Sequence, residues 1–131
     1  MVVNMDGDFY LELIITALCE ILGVSEDRAE EIIHKLADCG LEDEDCIQTL
    51  LTFLAEQSLA GKIKPLSTKF DENEGTLFKK GIEAISKITF TSKAKIREVF
   101  NQILELDIMT KEELLKLFKF AIEKSKIRFM L

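Results

Sequence analysis

Apolar residues recur along this chain at the three- and four-residue spacing of helices, in six stretches set apart by glycine, serine, threonine and proline. The first stretch, residues 8–22, carries Leu11, Ile14, Ile15, Leu18, Ile21 and Leu22, and Phe9, Leu13, Ala17 and Cys19 fill much of the remaining circumference. A helix apolar nearly all round is expected to be central and covered on every side. Gly23 ends it. Ser25 can then cap a second helix, whose first turn holds Glu26 and Asp27 at the positive end of the helix dipole. Its stripe is Ala29, Ile32, Ile33 and Leu36, and Gly40 supplies a left-handed stop. A third helix is expected over residues 43–60, through Ile47, Leu50, Leu51 and Leu54.

The segment GKIKPLSTKFDENEG, residues 61–75, has linker character. Pro65 disfavours helix at Lys64, and Gly61 and Gly75 bracket the stretch. A fourth helix is expected over residues 76–88, with Phe78, Ile82, Ile85 and Ile88 on its stripe. Ser92 can cap a fifth, striped by Ile96, Val99, Phe100 and Ile103. The sixth opens on a capping box of Thr110 and Glu113, with Met109 and Leu114 placed as a hydrophobic staple, and runs to about residue 126. The terminal IRFML is expected to fold back and close the core; left exposed, it would mark a dimer or partner surface.

Residues 17–58 align on residues 84–125 without a gap, at an offset of 67. Sixteen of the 42 pairs are apolar in both, where composition alone gives about ten. Ala17/Ala84, Ser25/Ser92, Glu31/Glu98 and Phe53/Phe120 are identical. Either a duplicated three-helix unit or two helical hairpins of similar period produces such a match. Each set of three helices is marginal alone. The expectation is therefore an all-α, compact single-domain bundle of about six helices over residues 1–131. Two pseudo-repeated sub-units, 8–60 and 76–126 joined by linker 61–75, are one way to organise it.

Composition agrees with this. With 131 residues, 47% hydrophobic and 31% charged, the chain is globular in character, and one proline with six glycines leaves few helix breakers. There is no run of about 18 uncharged apolar residues, so no membrane span is expected. The start, MVVNMDGDFY, lacks the basic stretch and cleavage site of a signal peptide. Three cysteines with no CxxC pair suit free thiols in a reducing compartment: the cytoplasm, or a host-cell interior for a viral or parasite protein.

Charge changes the picture most. Residues 1–61 carry 14 acidic side chains against Arg28 and Lys35, a net of −12, whereas residues 62–131 carry 15 basic against 10 acidic, a net of +5. Glu26, Glu30, Glu31, Asp38, Glu42, Asp43, Glu44 and Asp45 form the richest acidic tract, around the second helix and the turn after it. Such a field steers a basic partner and selects against acidic ones.

Other candidate chemistry is thinner. Glu30, His34 and Asp38 share one helix face and could offer oxygen and nitrogen ligands to a divalent metal, but one helix presents only a flat array without supporting partners. Cys19, Cys39 and Cys46 lie in a strongly negative neighbourhood that opposes thiolate formation. The segments NMDGDF and FDENEGTLF fail the calcium-loop spacing, because no glutamate stands at the twelfth position. No phosphate loop or hydrolase motif is present, and no cofactor is expected. Lys93, Lys95, Arg97, Lys111, Lys116 and Lys119 could meet nucleic acid, but Glu98, Glu112 and Glu113 interrupt them, and nucleic acid is not the expected partner.

The sequence thus points to a non-enzymatic interaction or regulatory module that binds a basic protein surface. Head-to-tail association of the oppositely charged halves would give homo-oligomers. The competing readings are a metal-dependent or enzymatic protein centred on His34, and a nucleic-acid binder using the basic C-terminal helices.

Overall fold

Six α-helices and one 3-10 turn make up the described residues, with no strand among them. The computed structural model describes residues 7–63 and 73–130. They fall into two compact units, Met1–Pro65 and Leu66–Leu131. The boundary lies inside the expected linker 61–75, of which residues 64–72 are outside the described part.

In the first unit, α1 (Gly7–Leu22) packs chiefly on α3 (Asp45–Leu59) and also on α2 (Glu26–Asp38). Ser25 caps α2 as expected, its hydroxyl accepting the Arg28 N–H at 3.2 Å. Gly40 follows the helix with φ +75°, and a 3-10 turn, Leu41–Asp43, buries Leu41 before α3 begins. The third helix therefore starts at Asp45 rather than at residue 43. Glu44 is its cap and offers it no side-chain bond.

The second unit holds α4 (Glu74–Thr89), α5 (Lys93–Glu105) and α6 (Lys111–Met130). Asn73 caps α4, two residues earlier than expected, by accepting the Thr76 N–H at 2.8 Å. Ser92 caps α5 through the Lys95 N–H at 3.2 Å. The capping box of α6 is complete: Glu113 N–H donates to Thr110 Oγ1 at 3.1 Å, and Thr110 N–H to Glu113 Oε1 at 2.9 Å. Met109 and Leu114, the staple pair, are both buried. The helices α4 and α6 start at the same end, where Lys111 Nζ lies 2.7 Å from Glu74 Oε1. They pack tightly at Gly81, where an added Cβ would clash with Phe118, whose ring meets Phe78 and Phe100 edge-on at 5.2 and 5.4 Å between centroids. The helix α6 runs on to Met130, so the expected fold-back after residue 126 does not occur. Nothing there breaks a helix, and continuing it satisfies the backbone of residues 127–130.

The offset of 67 recurs at several element boundaries, but the expected pseudo-repeat of a three-helix unit is not established by them. The helices α1 and α4 are both 16 residues long and start 67 apart; α2 and α5 are both 13 residues long and also start 67 apart. Left-handed residues match as well: Gly23 (φ 67°) with Phe90 (φ 56°), and Gly40 (φ 75°) with Asp107 (φ 56°). The bonds that close these helix ends recur, Val24 N–H to Cys19 O at 3.3 Å and Thr91 N–H to Ser86 O at 3.2 Å. The third helices depart from the register, since α6 starts 66 residues after α3 and has 20 residues against 15.

These left-handed stops make a prediction. A Cβ at Gly40 would meet nothing within 4 Å, so Gly40→Ala carries a purely conformational penalty, expected at about 1 kcal/mol. Phe90 sits in the same kind of position, 77% exposed, and Phe90→Gly is expected to raise stability by about 0.5–1 kcal/mol. Denaturant midpoints of the two variants should move in opposite directions.

The first helix is not covered as its composition implied. Ala17, Leu18 and Leu22 are buried, but Leu13, Ile14 and Ile15 are only partly so, and Phe9, Tyr10 and Leu11 are exposed. Its apolar circumference is wider than the two helices packed on it can cover. In α4 the positions 67 residues after Phe9 and Leu13 hold the polar Thr76 and Lys80, and the stripe Leu77, Ile82, Ala84, Ile85 and Ile88 is buried.

Candidate interaction surface

The acidic tract divides into three parts. Glu31 is neutralised: Arg28 Nη1 lies 2.7 Å from its Oε1 and Lys35 Nζ 3.6 Å from its Oε2. The hydrogen bond from Arg28, and then the Lys35 charge, hold its carboxyl below the usual range. The spacing predicts these pairs, since Arg28 precedes Glu31 by three residues and Lys35 follows it by four. Both cations of residues 1–61 are therefore engaged at one carboxylate.

A second part surrounds the turn between α2 and α3. Asp38, Glu42, Asp43 and Asp45 are exposed, and Glu44 is half-buried. Among the described residues Asp38, Glu42, Asp43 and Asp45 form no ion pair. Four acids within a few residues keep this end of the unit strongly negative.

The third part faces α1. Glu26 and Glu30, one turn apart on α2, line a groove of about 590 Å³ together with Leu11, Glu12, Ile15 and Thr16 of α1. Glu26, Glu30 and Glu12 are exposed and make no ion pair among the described residues. Leu11 and Ile15, also one turn apart, are its apolar lining residues. The sequence singled out Glu26 and Glu30 but not the α1 side of this groove; its signal was the placing of Glu12 beside the Leu11/Ile15 stripe. A smaller apolar hollow of about 290 Å³ lies on the other flank of α1, lined by Phe9, Tyr10, Leu13, Ala55, Glu56 and Leu59. Leu59 is 65% exposed there.

The remaining candidates do not assemble into sites. Glu30, His34 and Asp38 are all exposed along α2, and among the described residues no group of three or more His, Cys, Asp and Glu gathers closely enough to hold a metal ion. Cys39 is exposed, Cys46 is buried and Cys19 is half-buried. Burial, then the charges of Glu26 and Glu20, push the Cys19 thiol up, which disfavours the nucleophilic form. Of the calcium-like segments, Asn4, Asp6, Asp71 and Glu72 lie outside the described residues.

Four lysines of the second unit, all at or near the starts of α5 and α6, lie beside carboxylates. Lys93 lies 3.6 Å from Glu83, Lys95 3.2 Å from Glu98, Lys111 2.7 Å from Glu74 and Lys116 3.7 Å from Glu112. Lys124 lies over the Phe120 ring at 5.6 Å. A phosphate-binding face needs concentrated, unopposed positive charge, and these pairs dilute it. No helix of the described residues is long and apolar enough to cross a membrane. Comparison with protein-family models, curated proteins and solved structures finds no match to this chain.

Proposed function

We propose that this protein is a non-enzymatic interaction or regulatory module whose acidic surface, in the unit Met1–Pro65, binds a basic protein partner. One observation carries the reading. Glu12, Glu26, Glu30, Asp38, Glu42, Asp43 and Asp45 are exposed without an ion pair among the described residues, while Arg28 and Lys35 both bind Glu31. A surface so charged repels its own kind and accelerates encounter with cations, an effect that salt weakens within a Debye length of about 8–10 Å. The interfacial acids therefore govern association rate and selectivity more than raw affinity.

The test is capture of partners by the wild type and by a triple variant, Glu42→Lys, Asp43→Lys and Asp45→Lys, at low and high salt, with the captured proteins identified by mass spectrometry. The expected result is a set of basic proteins retained by the wild type at low salt and lost in both the variant and high salt. Capture indifferent to the charge reversal overturns the reading. Unchanged far-UV circular dichroism of the variant shows that the helices survive.

A further inference from the structure

The groove between α1 and α2 has a chemistry more specific than general acidity. We infer that it is the docking site for an amphipathic helix of the partner, one that carries two apolar side chains a turn apart with lysine or arginine on both flanks. This rests on the basic-partner reading above and adds to it the shape and the place.

Three observations support the occupant. The apolar lining is Leu11 and Ile15, spaced four residues apart on one helix face, so it suits two side chains that share that spacing. Both helices contribute carboxylates to the lining, Glu12 from α1 and Glu26 and Glu30 from α2, so the complementary ligand has cations flanking its apolar seam. In a coiled-coil heptad this is an apolar a/d seam with basic flanking positions. The groove is bounded by helices and the described residues include no sheet edge, so an added strand would find no backbone partners.

The second unit, compared at the offset of 67, treats the corresponding helix positions differently. The residues 67 positions after Leu11 and Ile15 are Phe78 and Ile82. Phe78 lies against Phe118, and Ile82 is wholly buried. Ile82 is thus covered from within where Ile15 is half-buried, and the half-buried Phe78 packs on a ring of its own unit where Leu11 is exposed beside acids. Leu11 is 38% exposed and Ile15 half-buried, which leaves apolar area for a partner to remove from water.

The probe is a synthetic helix of about 18 residues, five turns, with leucines on an a/d seam and lysines flanking it. Two controls accompany it: a scrambled peptide of identical composition, and a copy whose flanking lysines are glutamates. Affinity is read by fluorescence anisotropy, and peptide helicity by circular dichroism. The full chain is tested beside Leu11→Gln, beside Glu12→Lys with Glu30→Lys, and beside Asp43→Lys with Asp45→Lys. The expected result is that the lysine-flanked helix binds and gains helicity, and that both groove variants weaken it by about tenfold or more. The Asp43/Asp45 variant should weaken it by less than the groove variants do. Equal binding of the scrambled peptide overturns the helix-in-groove inference while leaving the acidic surface in place. Equal binding of the glutamate-flanked helix, or indifference of every peptide to charge reversal, overturns both. Spectral changes at Leu11 and Ile15 that depend on protein concentration without any peptide assign the groove to a second copy of the chain, and also overturn the inference.

Discussion

Replacing Phe118 by alanine is expected to lower the stability of the unit Leu66–Leu131 by about 3–5 kcal/mol, the largest effect of any single truncation here. Phe118 is wholly buried on α6 and meets the other two helices of its unit. Its ring lies edge-on to Phe78 of α4 and Phe100 of α5, and its Cβ end closes on Gly81. Truncation leaves a cavity at the one point where α4, α5 and α6 converge, and it removes two edge-to-face ring contacts, each worth about 0.5–1.5 kcal/mol beyond the area they bury. A unit of this size has little reserve, since total stability of small domains is about 5–15 kcal/mol and falls toward the low end below about 80 residues. Hydrogen exchange followed residue by residue should show protection lost through α4, α5 and α6. Phe118→Leu, which retains most of the volume, is expected to cost roughly half as much or less. Equal losses for the two variants would mean that the edge-to-face geometry, not the volume, dominates.

What could be read from the sequence, and what could not, follows the range of the forces involved. The caps at Ser25, Ser92 and Thr110 with Glu113 are local, because each joins groups three residues apart, and all three form as expected. The left-handed stop at Gly40 is local for the same reason. The 3-10 turn at Leu41–Asp43 was not legible, because it depends on Leu41 finding a buried place between elements. The exposure of Phe9, Tyr10 and Leu11 was not legible either. Their periodicity reports how much of α1 is apolar; how much of it is covered depends on which helices pack there. The acidic tract was visible as composition, but its division was not. Pairing of Glu31 with Arg28 and Lys35 could have been taken from spacing alone. The joining of Glu26 and Glu30 to Glu12, Leu11 and Ile15 needs two helices placed side by side. Phe90 is the reverse case, since an aromatic residue does not announce a left-handed stop, whereas Asp107 is of a type enriched there. For Phe90 only its register with Gly23 does so.

The alanine variant of Gly81 is expected to be destabilising even though alanine is the better helix former. In an open helix this exchange gains about 1 kcal/mol. Gly81 lies inside α4, fully buried, and an added Cβ would stand 2.2 Å from Phe118 Cγ and 2.5 Å from its Cβ. Those are the inner atoms of the ring side chain, which cannot swing away without moving α6 itself. Separating the helices costs about 1–3 kcal/mol or more in lost packing, so the clash outweighs the propensity gain. The clash itself points to the remedy, a smaller side chain at position 118. Relieving the ring should therefore convert Gly81→Ala from a loss toward a gain. In a cycle with Phe118→Leu, the double variant is expected to be more stable than the sum of the single changes by about 1–2 kcal/mol, well outside the few tenths expected for independent sites. Denaturant unfolding of the four proteins measures this directly. Simple additivity would show that α4 and α6 can part at Gly81 without loss, and would remove the tight contact there from the account of how this unit is held together.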